Sequence, residues 1–86
     1  MNTFDKRLEQ MRRNPKNVRF KSLCIVCEHY FGKARQGGTS HRIYETPWMD
    51  VRTADIQNNH GKAKPYQVKQ VLTAIGVMNE QRRKHR

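Results

Sequence analysis

The clearest local signal in the chain lies at residues 35–44, Arg35-Gln36-Gly37-Gly38-Thr39-Ser40-His41-Arg42-Ile43-Tyr44. Its paired glycines predict a tight turn, because glycine adopts positive φ without a steric penalty. Alternation of side-chain character resumes after the turn and predicts a strand over residues 40–45. A strand that starts at a turn holds its first side chains at the rim of a sheet. We therefore expect a ligand to be able to reach His41.

Two arginines flank this histidine in the sequence. Arg35 and Arg42 carry fixed positive charge on either side of His41. A titratable imidazole between arginines is suited to a polyanion that is bound and also acted on. The alternative is that His41 is a surface or packing residue, which is the commoner role of a histidine at the start of a strand.

Length and charge limit the classes of protein to consider. The chain has 86 residues and a hydrophobic fraction of 35%, enough for one small domain. Lys and Arg number 18 against 7 Asp and Glu, which gives a net charge of +11 and a pI near 10.4. This excess favours a nucleic-acid or acidic-protein partner. The sequence has no apolar run long enough to span a membrane and no signal peptide, so a cytoplasmic location and no membrane partner are expected.

Apolar residues three and four apart predict helices over residues 3–13, 20–31 and 65–76. The first helix, capped by Asn2 or Thr3, is expected to be peripheral. The last is expected to end at Gly76 or about Met78, because a basic and apolar-free tail follows. The predicted core consists of Phe20, Leu23, Cys27, Ile43, Ile56, Val68, Val71, Leu72 and Ile75.

Three short strands are predicted over residues 33–36, 40–45 and 51–57. The order of elements is then α-α-β-β-β-α. Three antiparallel strands with helices before and after them can bury one sheet face under the helices and leave the other open. The expected fold class is therefore α+β, with a three-stranded antiparallel sheet covered on one face by helices.

Cys24 and Cys27 are the only cysteines, and they lie within the apolar stripe of the second predicted helix. A zinc site needs four ligands in tetrahedral array, and the spacing of His29 and His60 completes no common site. Reduced, inert and buried cysteines are favoured over metal or redox use. No metal and no cofactor are therefore expected.

Four histidines are candidates for acid–base chemistry. His29 lies near a helix end, His85 in the basic tail and His60 in a polar loop, whereas His41 has a glycine turn before it and a strand after it. RNA cleavage needs no metal if a general base takes the 2′-hydroxyl proton and cations stabilise the phosphorane. His41 could be that base or the matching acid, and the candidate cations for RNA binding are Arg35, Arg42, Lys62 and Lys64.

The segment Gly38-Thr39-Ser40-His41 resembles the G-S-x-H signature of the HicA family of toxin–antitoxin mRNA interferases. As in that family, it follows an amphipathic helix that ends at Gly32 and a short strand that contains Arg35. The later segments Ile56-Gln57, Gly61-Lys62 and Val68 to Ile75 resemble the family's third strand, loop and closing helix. The resemblance covers residues 18–78.

The resemblance implies a fold like that of double-stranded-RNA-binding domains, with αβββα order. It also implies a ribosome-independent endoribonuclease of mRNA that arrests growth and is neutralised by a HicB-type antitoxin. The family's catalytic histidine corresponds to His41, which the turn Gly37, Gly38, Thr39 and Ser40 would position. Residues 1–17 would be an N-terminal helical extension, 18–78 the HicA-like domain and 79–86 a basic C-terminal tail. Because Ile43 is expected in the core, His41 is expected at the sheet edge, beyond the covering helices.

Two other functions are compatible with the same residues. The chain could be a non-catalytic RNA-binding module of this fold. It could also be a structural or interaction protein whose basic surface meets an acidic partner. Net charge fits all three hypotheses, and only His41 and its turn favour cleavage.

Overall fold

Residues 3–38 and 40–84 are described by the structure, a computed structural model; Asn2, Thr39 and the residues from His85 onward, which carry some of the predictions above, lie outside it. The helices are α1 (Thr3–Arg13), α2 (Phe20–Phe31) and α3 (Pro65–Lys84), with a 3₁₀ turn at Pro15–Asn17. The strands are β1 (Gln36–Gly37), β2 (His41–Glu45), β3 (Thr53–Asn59) and β4 (Lys62–Ala63). The predicted α+β class is confirmed, and the three helices and the first three strands follow in the predicted order, but the sheet has four strands and not three. The two-residue strand β4 was not predicted, and β1 lies C-terminal to most of its predicted range.

The strands form one antiparallel sheet in the order β1-β2-β3-β4. Its longest ladder joins β2 to β3, from His41 opposite Gln57 to Glu45 opposite Thr53. The chain before α2 extends the sheet beyond β4, because the backbone of Arg19 forms an isolated antiparallel β-bridge with that of Lys62. The Ala63 N–H donates to the Val18 carbonyl at 2.8 Å. The N-terminal part of the chain is thus hydrogen-bonded to the sheet.

Helices α2 and α3 cover one face of the sheet. Tyr44 and Ile56 are fully buried on that face, as are Leu23 of α2 and Val71 of α3. The prediction that Ile43 belongs to the core was wrong, since Ile43 is only half-buried and its neighbour Tyr44 occupies the core position. Successive strand residues point to opposite faces, so Ile43 lies on the open face. Leu72, also predicted in the core, is half-buried and packs against it; the rest of that predicted set is buried.

Helix α1 is part of the core, and the expectation that it is peripheral was wrong. Leu8 and Met11 are 5% and 4% exposed and belong to the main hydrophobic cluster. The ring of Phe4 stacks on His29 of α2 with centroids 3.7 Å apart. These contacts fix the orientation of α1 relative to α2.

Helix α3 continues past Gly76 to Lys84, so its predicted end was wrong. Gly76 is exposed, and nothing outside its own helix lies within 4 Å of the site of a Cβ, so no contact requires the helix to stop there. Met78, one turn beyond Ile75 and two turns beyond Val71, is buried. Trp48 also holds this part of α3: its Nε1 donates to the Ala74 carbonyl at 3.1 Å. Tertiary contacts therefore outweigh the low helix propensity of glycine.

The packing of α1 can be tested with Leu8→Ala. This change should lower the free energy of unfolding by about 2–5 kcal/mol, because it leaves a cavity between α1 and the rest of the core. Val51→Ala is the control, since Val51 is 57% exposed and should change stability by no more than about 0.5 kcal/mol. Urea denaturation measures both. Equal stabilities of the two variants would show that α1 is only loosely attached.

Candidate nucleic-acid interface

The face of the sheet opposite α2 and α3 is open to solvent. Cross-strand partners point to the same side of a sheet, so the β2–β3 register assigns this face pair by pair. His41 lies opposite Gln57, Ile43 opposite Asp55, and Glu45 opposite Thr53. His41 is exposed and Gln57 is half-buried. His41 therefore lies on the open face, opposite the helices, rather than at the sheet edge beyond them as predicted.

The hairpin before His41 differs from the predicted glycine turn. The Gly38 N–H donates to the His41 carbonyl at 3.0 Å, so Gly38 is hydrogen-bonded to the start of β2. Gly37 belongs to β1, where it lies opposite Arg42. Neither glycine has a positive φ, so the predicted use of their conformational freedom was wrong. On the far side of β2, the Asn58 N–H donates to the Ser40 carbonyl at 2.8 Å. Backbone hydrogen bonds on both sides thus hold the start of β2.

Arg42 points away from His41. Its Nη1 lies 3.4 Å from Glu28 Oε2 of α2, and its Nε donates to the Gly38 carbonyl at 3.4 Å. Adjacent strand residues alternate between faces, so the two groups next to each other in the sequence are separated by the sheet. Arg42 therefore flanks His41 in the sequence but not on the open face.

Arg35 lies at the other end of β2 from His41. Its Nε is 3.8 Å from Glu45 Oε1, and both side chains are more than half exposed. His41 begins β2 and Glu45 ends it, four residues or about 13 Å away along a strand. Arg35 is thus paired with a carboxylate and is not beside His41.

Lys62 and Arg19 are the cations that the strand register places on the open face. Lys62 lies opposite Asn59 in β3, on the same side of the sheet as Gln57 and His41. Arg19 is the bridge partner of Lys62 and therefore points to this side too. Sequence reasoning missed Arg19, because its pairing with β4 is a long-range contact without a local signal. The other predicted cation, Lys64, is half-buried, and its carbonyl accepts hydrogen bonds from the first turn of α3.

We call the set His41, Gln57, Asn59, Lys62 and Arg19 the basic end of the open face. Among the described residues, neither Lys62 nor Arg19 forms an ion pair with a carboxylate. The set offers imidazole, amide, ammonium and guanidinium groups to solvent. Phosphate oxygens accept hydrogen bonds from all of these groups. Of the acidic residues on this face, Glu45 lies at the far end of β2, and Asp55 lies opposite Ile43 in the middle of the ladder.

The other histidines do not join this set. His29 is stacked on Phe4 at the junction of α1 and α2. His60 lies in the exposed loop between β3 and β4 with φ of 54°. In that loop the Gly61 N–H donates to Asn58 Oδ1 at 2.6 Å.

Cys24 and Cys27 are free and buried, as predicted. Burial raises the pKa of both thiols; for Cys24 the nearby Arg42 guanidinium partly opposes this rise. Burial also raises the pKa of Tyr44, whose hydroxyl lies near Cys24 and Arg42. That hydroxyl has no hydrogen-bond partner of ordinary geometry among the described residues. In the same part of the chain, no three His, Cys, Asp or Glu side chains come together to hold a metal ion.

Comparison of the chain with protein-family models, with curated proteins and with solved structures found no match. No helix among residues 3–38 and 40–84 is both long and apolar enough to cross a membrane. Fold and site define a small α+β domain with a basic, solvent-facing end of its sheet. Because no relative narrows this class, the function has to be inferred from the side chains of the chain itself.

Buried thiols with raised pKa values should react slowly. At neutral pH, iodoacetamide should label Cys24 and Cys27 much more slowly in the native protein than in urea, because only an accessible thiolate is nucleophilic. Raising the pH toward 9.0, the ordinary pKa of the thiol, should accelerate labelling of the unfolded chain far more than of the native protein. Mass spectrometry of timed samples measures both rates. Equal rates would mean that the thiols are accessible.

Proposed function

We propose that this chain is a HicA-type toxin, an endoribonuclease that cleaves mRNA without a metal ion and uses His41 as its catalytic residue. The observation that carries the proposal is that the strand register brings His41, Lys62 and Arg19 to one uncovered face of the sheet. Apart from the added two-residue strand β4, the order from α2 to α3 matches the αβββα order of the double-stranded-RNA-binding-domain-like fold that the HicA resemblance implies. An mRNA substrate makes the cytoplasm the proposed location.

The proposed reaction is an internal transesterification. His41 accepts the proton of a 2′-hydroxyl, and the 2′-oxygen forms a bond to the adjacent phosphorus. The bond from phosphorus to the 5′-oxygen of the next nucleotide breaks, which leaves a 2′,3′-cyclic phosphate, and the departing 5′-oxygen takes a proton from solvent water. Lys62, the nearer of the two cations, would stabilise the charge of the phosphorane, and Arg19, one strand further away, would hold a neighbouring phosphate. Each role needs a side chain on the open face, which these three residues have.

The neighbouring backbone gives His41 a firm support. Gln57, its cross-strand partner, donates its N–H to Oε1 of Gln67 at 2.8 Å, and Gln67 is 3% exposed. This bond connects β3 to the first turn of α3, at the point where the β3–β4 pairing ends. A rigid strand behind a catalytic group limits its displacement during the reaction.

A non-catalytic RNA-binding module of the same fold is the second candidate. It is favoured by one observation: the hydrogen bonds and ion pairs between described side chains include none to the imidazole of His41. In many enzymes a second group orients the catalytic histidine. Here bound RNA itself would have to orient the ring.

A HicB-type antitoxin with acidic groups would be attracted to the same basic end and is the proposed protein partner.

The catalytic assignment is tested with His41→Ala. The variant should lose about 10²–10⁴-fold in the rate of RNA cleavage, because alanine cannot exchange a proton. Its thermal melting and its affinity for RNA should remain close to those of the wild type. Cleavage by the wild type should persist in the presence of a chelator, because the proposed reaction uses no metal ion.

His60→Asn is the matched control, because it removes another exposed histidine and asparagine tolerates the positive φ at this position. This variant should cleave like the wild type. Cleavage by a well-folded His41→Ala protein, free of contaminating nuclease, would exclude the catalytic role and favour the binding module. In cells, the wild type should arrest growth and the His41→Ala variant should not.

The choice of cations is tested by comparing Lys62→Gln with Arg42→Gln, both in a His41→Ala background that leaves RNA intact. Lys62→Gln should weaken RNA binding and reduce the slope of log affinity against log salt by about 0.7, the value for one phosphate contact of a single strand. Arg42→Gln should not change the slope, because Arg42 faces α2. Equal effects of the two variants would mean that the open face is not where RNA binds.

A further inference from the structure

A basic groove lies between α1 and the start of α2, beyond the β4 edge of the sheet. Its volume is about 360 Å³. Cationic, amide and hydroxyl side chains line it above a floor of Met11 and Val18; the polar lining residues are Thr3, Lys6, Arg7, Gln10, Asn17, Arg19 and Ser22. None of the described residues that line it is acidic. Three cations thus share one depression of the surface.

The acidic residues of helix α1 lie outside the groove. Lys6, Arg7 and Gln10 lie on the side that lines the groove, at the helical spacing of three and four residues. Asp5 and Glu9, the only acidic residues of α1, line a different depression together with Arg12, Tyr30 and Asn79. The groove is therefore basic because of how α1 is oriented, and not only because the chain is basic overall.

The three cations are not neutralised within the described part of the chain. Its ion pairs are Arg13–Glu9, Arg35–Glu45 and Arg42–Glu28, and none involves Lys6, Arg7 or Arg19. Like charges that converge without a counter-charge repel one another. An anion with several charges would relieve that repulsion. The amide and hydroxyl groups beside the cations are further donors of the kind that contact phosphate and sugar oxygens.

Arg19 connects the groove to the open face of the sheet. It lines the groove and is also the bridge partner of Lys62, so it belongs to both surfaces. From β2 to Arg19 the path crosses β3 and β4, which is three strand spacings or about 14 Å. The positive surface is thus continuous from His41 through Lys62 and Arg19 to Lys6 and Arg7.

We propose that this groove binds the phosphodiester backbone of the RNA strand whose other part lies at His41. The proposal rests on the proposed function and extends its substrate site to α1, in the N-terminal segment that precedes the region of HicA resemblance. Leu8 and Met11 anchor α1 in the core, so its cations are held in place before RNA arrives. Preorganisation of this kind lowers the entropic cost of binding.

The test uses Lys6→Gln/Arg7→Gln in the His41→Ala background and leaves Arg19 unchanged, because Arg19 also belongs to the open face. Affinity for single-stranded RNA of about 4 to 16 nucleotides, the range of site sizes of small single-strand binders, is measured over a series of salt concentrations. The slope of log affinity against log salt should fall by about 1.4, or about 0.7 for each lost contact. Lengthening the RNA should also increase the affinity of this variant less than it increases the affinity of the His41→Ala parent.

Arg12→Gln/Arg83→Gln is the matched control, since it removes the same charge from exposed helical positions outside the groove. Its slope should equal that of the parent. Because Arg7 is half-buried, the single variant Lys6→Gln, at an exposed position, gives a second measurement with an expected loss of about 0.7. Thermal melting verifies that each variant is folded.

The outcomes separate the two proposals. A parent protein that binds no RNA would overturn the proposed function and the groove together. A parent that binds RNA, with groove variants that match the control in slope and length dependence, would overturn the groove alone. In that case an acidic protein segment would be the remaining occupant of the groove. That occupant would be established if Lys6→Gln/Arg7→Gln lost the complex with an acidic partner protein and kept its RNA binding.

Discussion

Burial of the Tyr44 side chain is the constraint on which the arrangement of the sheet depends. Tyr44 is fully buried in the middle of the sheet, and its ring lies 6.3 Å from that of Phe31 at the end of α2. Because strand residues alternate between faces, this burial assigns Arg42 to the helix side and His41 and Ile43 to the open side. The β2–β3 register then carries the same assignment to Gln57 and Asp55. One buried ring thus determines which side chains a ligand can meet.

This arrangement has an energetic cost at the Tyr44 hydroxyl. A buried hydroxyl without a hydrogen bond typically costs about 1–3 kcal/mol, and this one has no partner of ordinary geometry within the described residues. The ring offsets the cost, because a buried aromatic side chain removes a large apolar area from water. The nearby pair of Arg42 and Glu28 contributes little, since exposed ion pairs are worth at most about 1 kcal/mol. Packing, and not charge pairing, therefore holds β2 against α2.

The distribution of charge follows from packing of the same kind. Helix α1 is oriented by Leu8 and Met11, which are buried, and by the stacking of Phe4 on His29. This orientation turns Lys6 and Arg7 toward the start of α2 and the acidic residues of α1 away from it. The chain before α2 pairs with β4 and brings Arg19 into line with Lys62. Packing thus gathers part of the positive charge of the chain into one basic surface, as binding to a phosphate backbone requires.

Local patterns in the sequence determined the α+β class, the order of helices and strands and most of the core, because helical spacing and buried apolar stripes are short-range properties. They also determined that the cysteines are buried, since both lie within an apolar stripe. Only the tertiary structure decided which face of β2 is covered. Alternation along the strand is compatible with burial of either the odd-numbered or the even-numbered residues, and packing of the Tyr44 ring selects the even-numbered ones. The tertiary structure also decided the length of α3, because Trp48 and Met78 stabilise turns that Gly76 alone would end. It brought Arg19 beside Lys62 and separated Arg42 from His41, because hydrogen bonding between distant segments sets neighbours in a sheet and local composition does not.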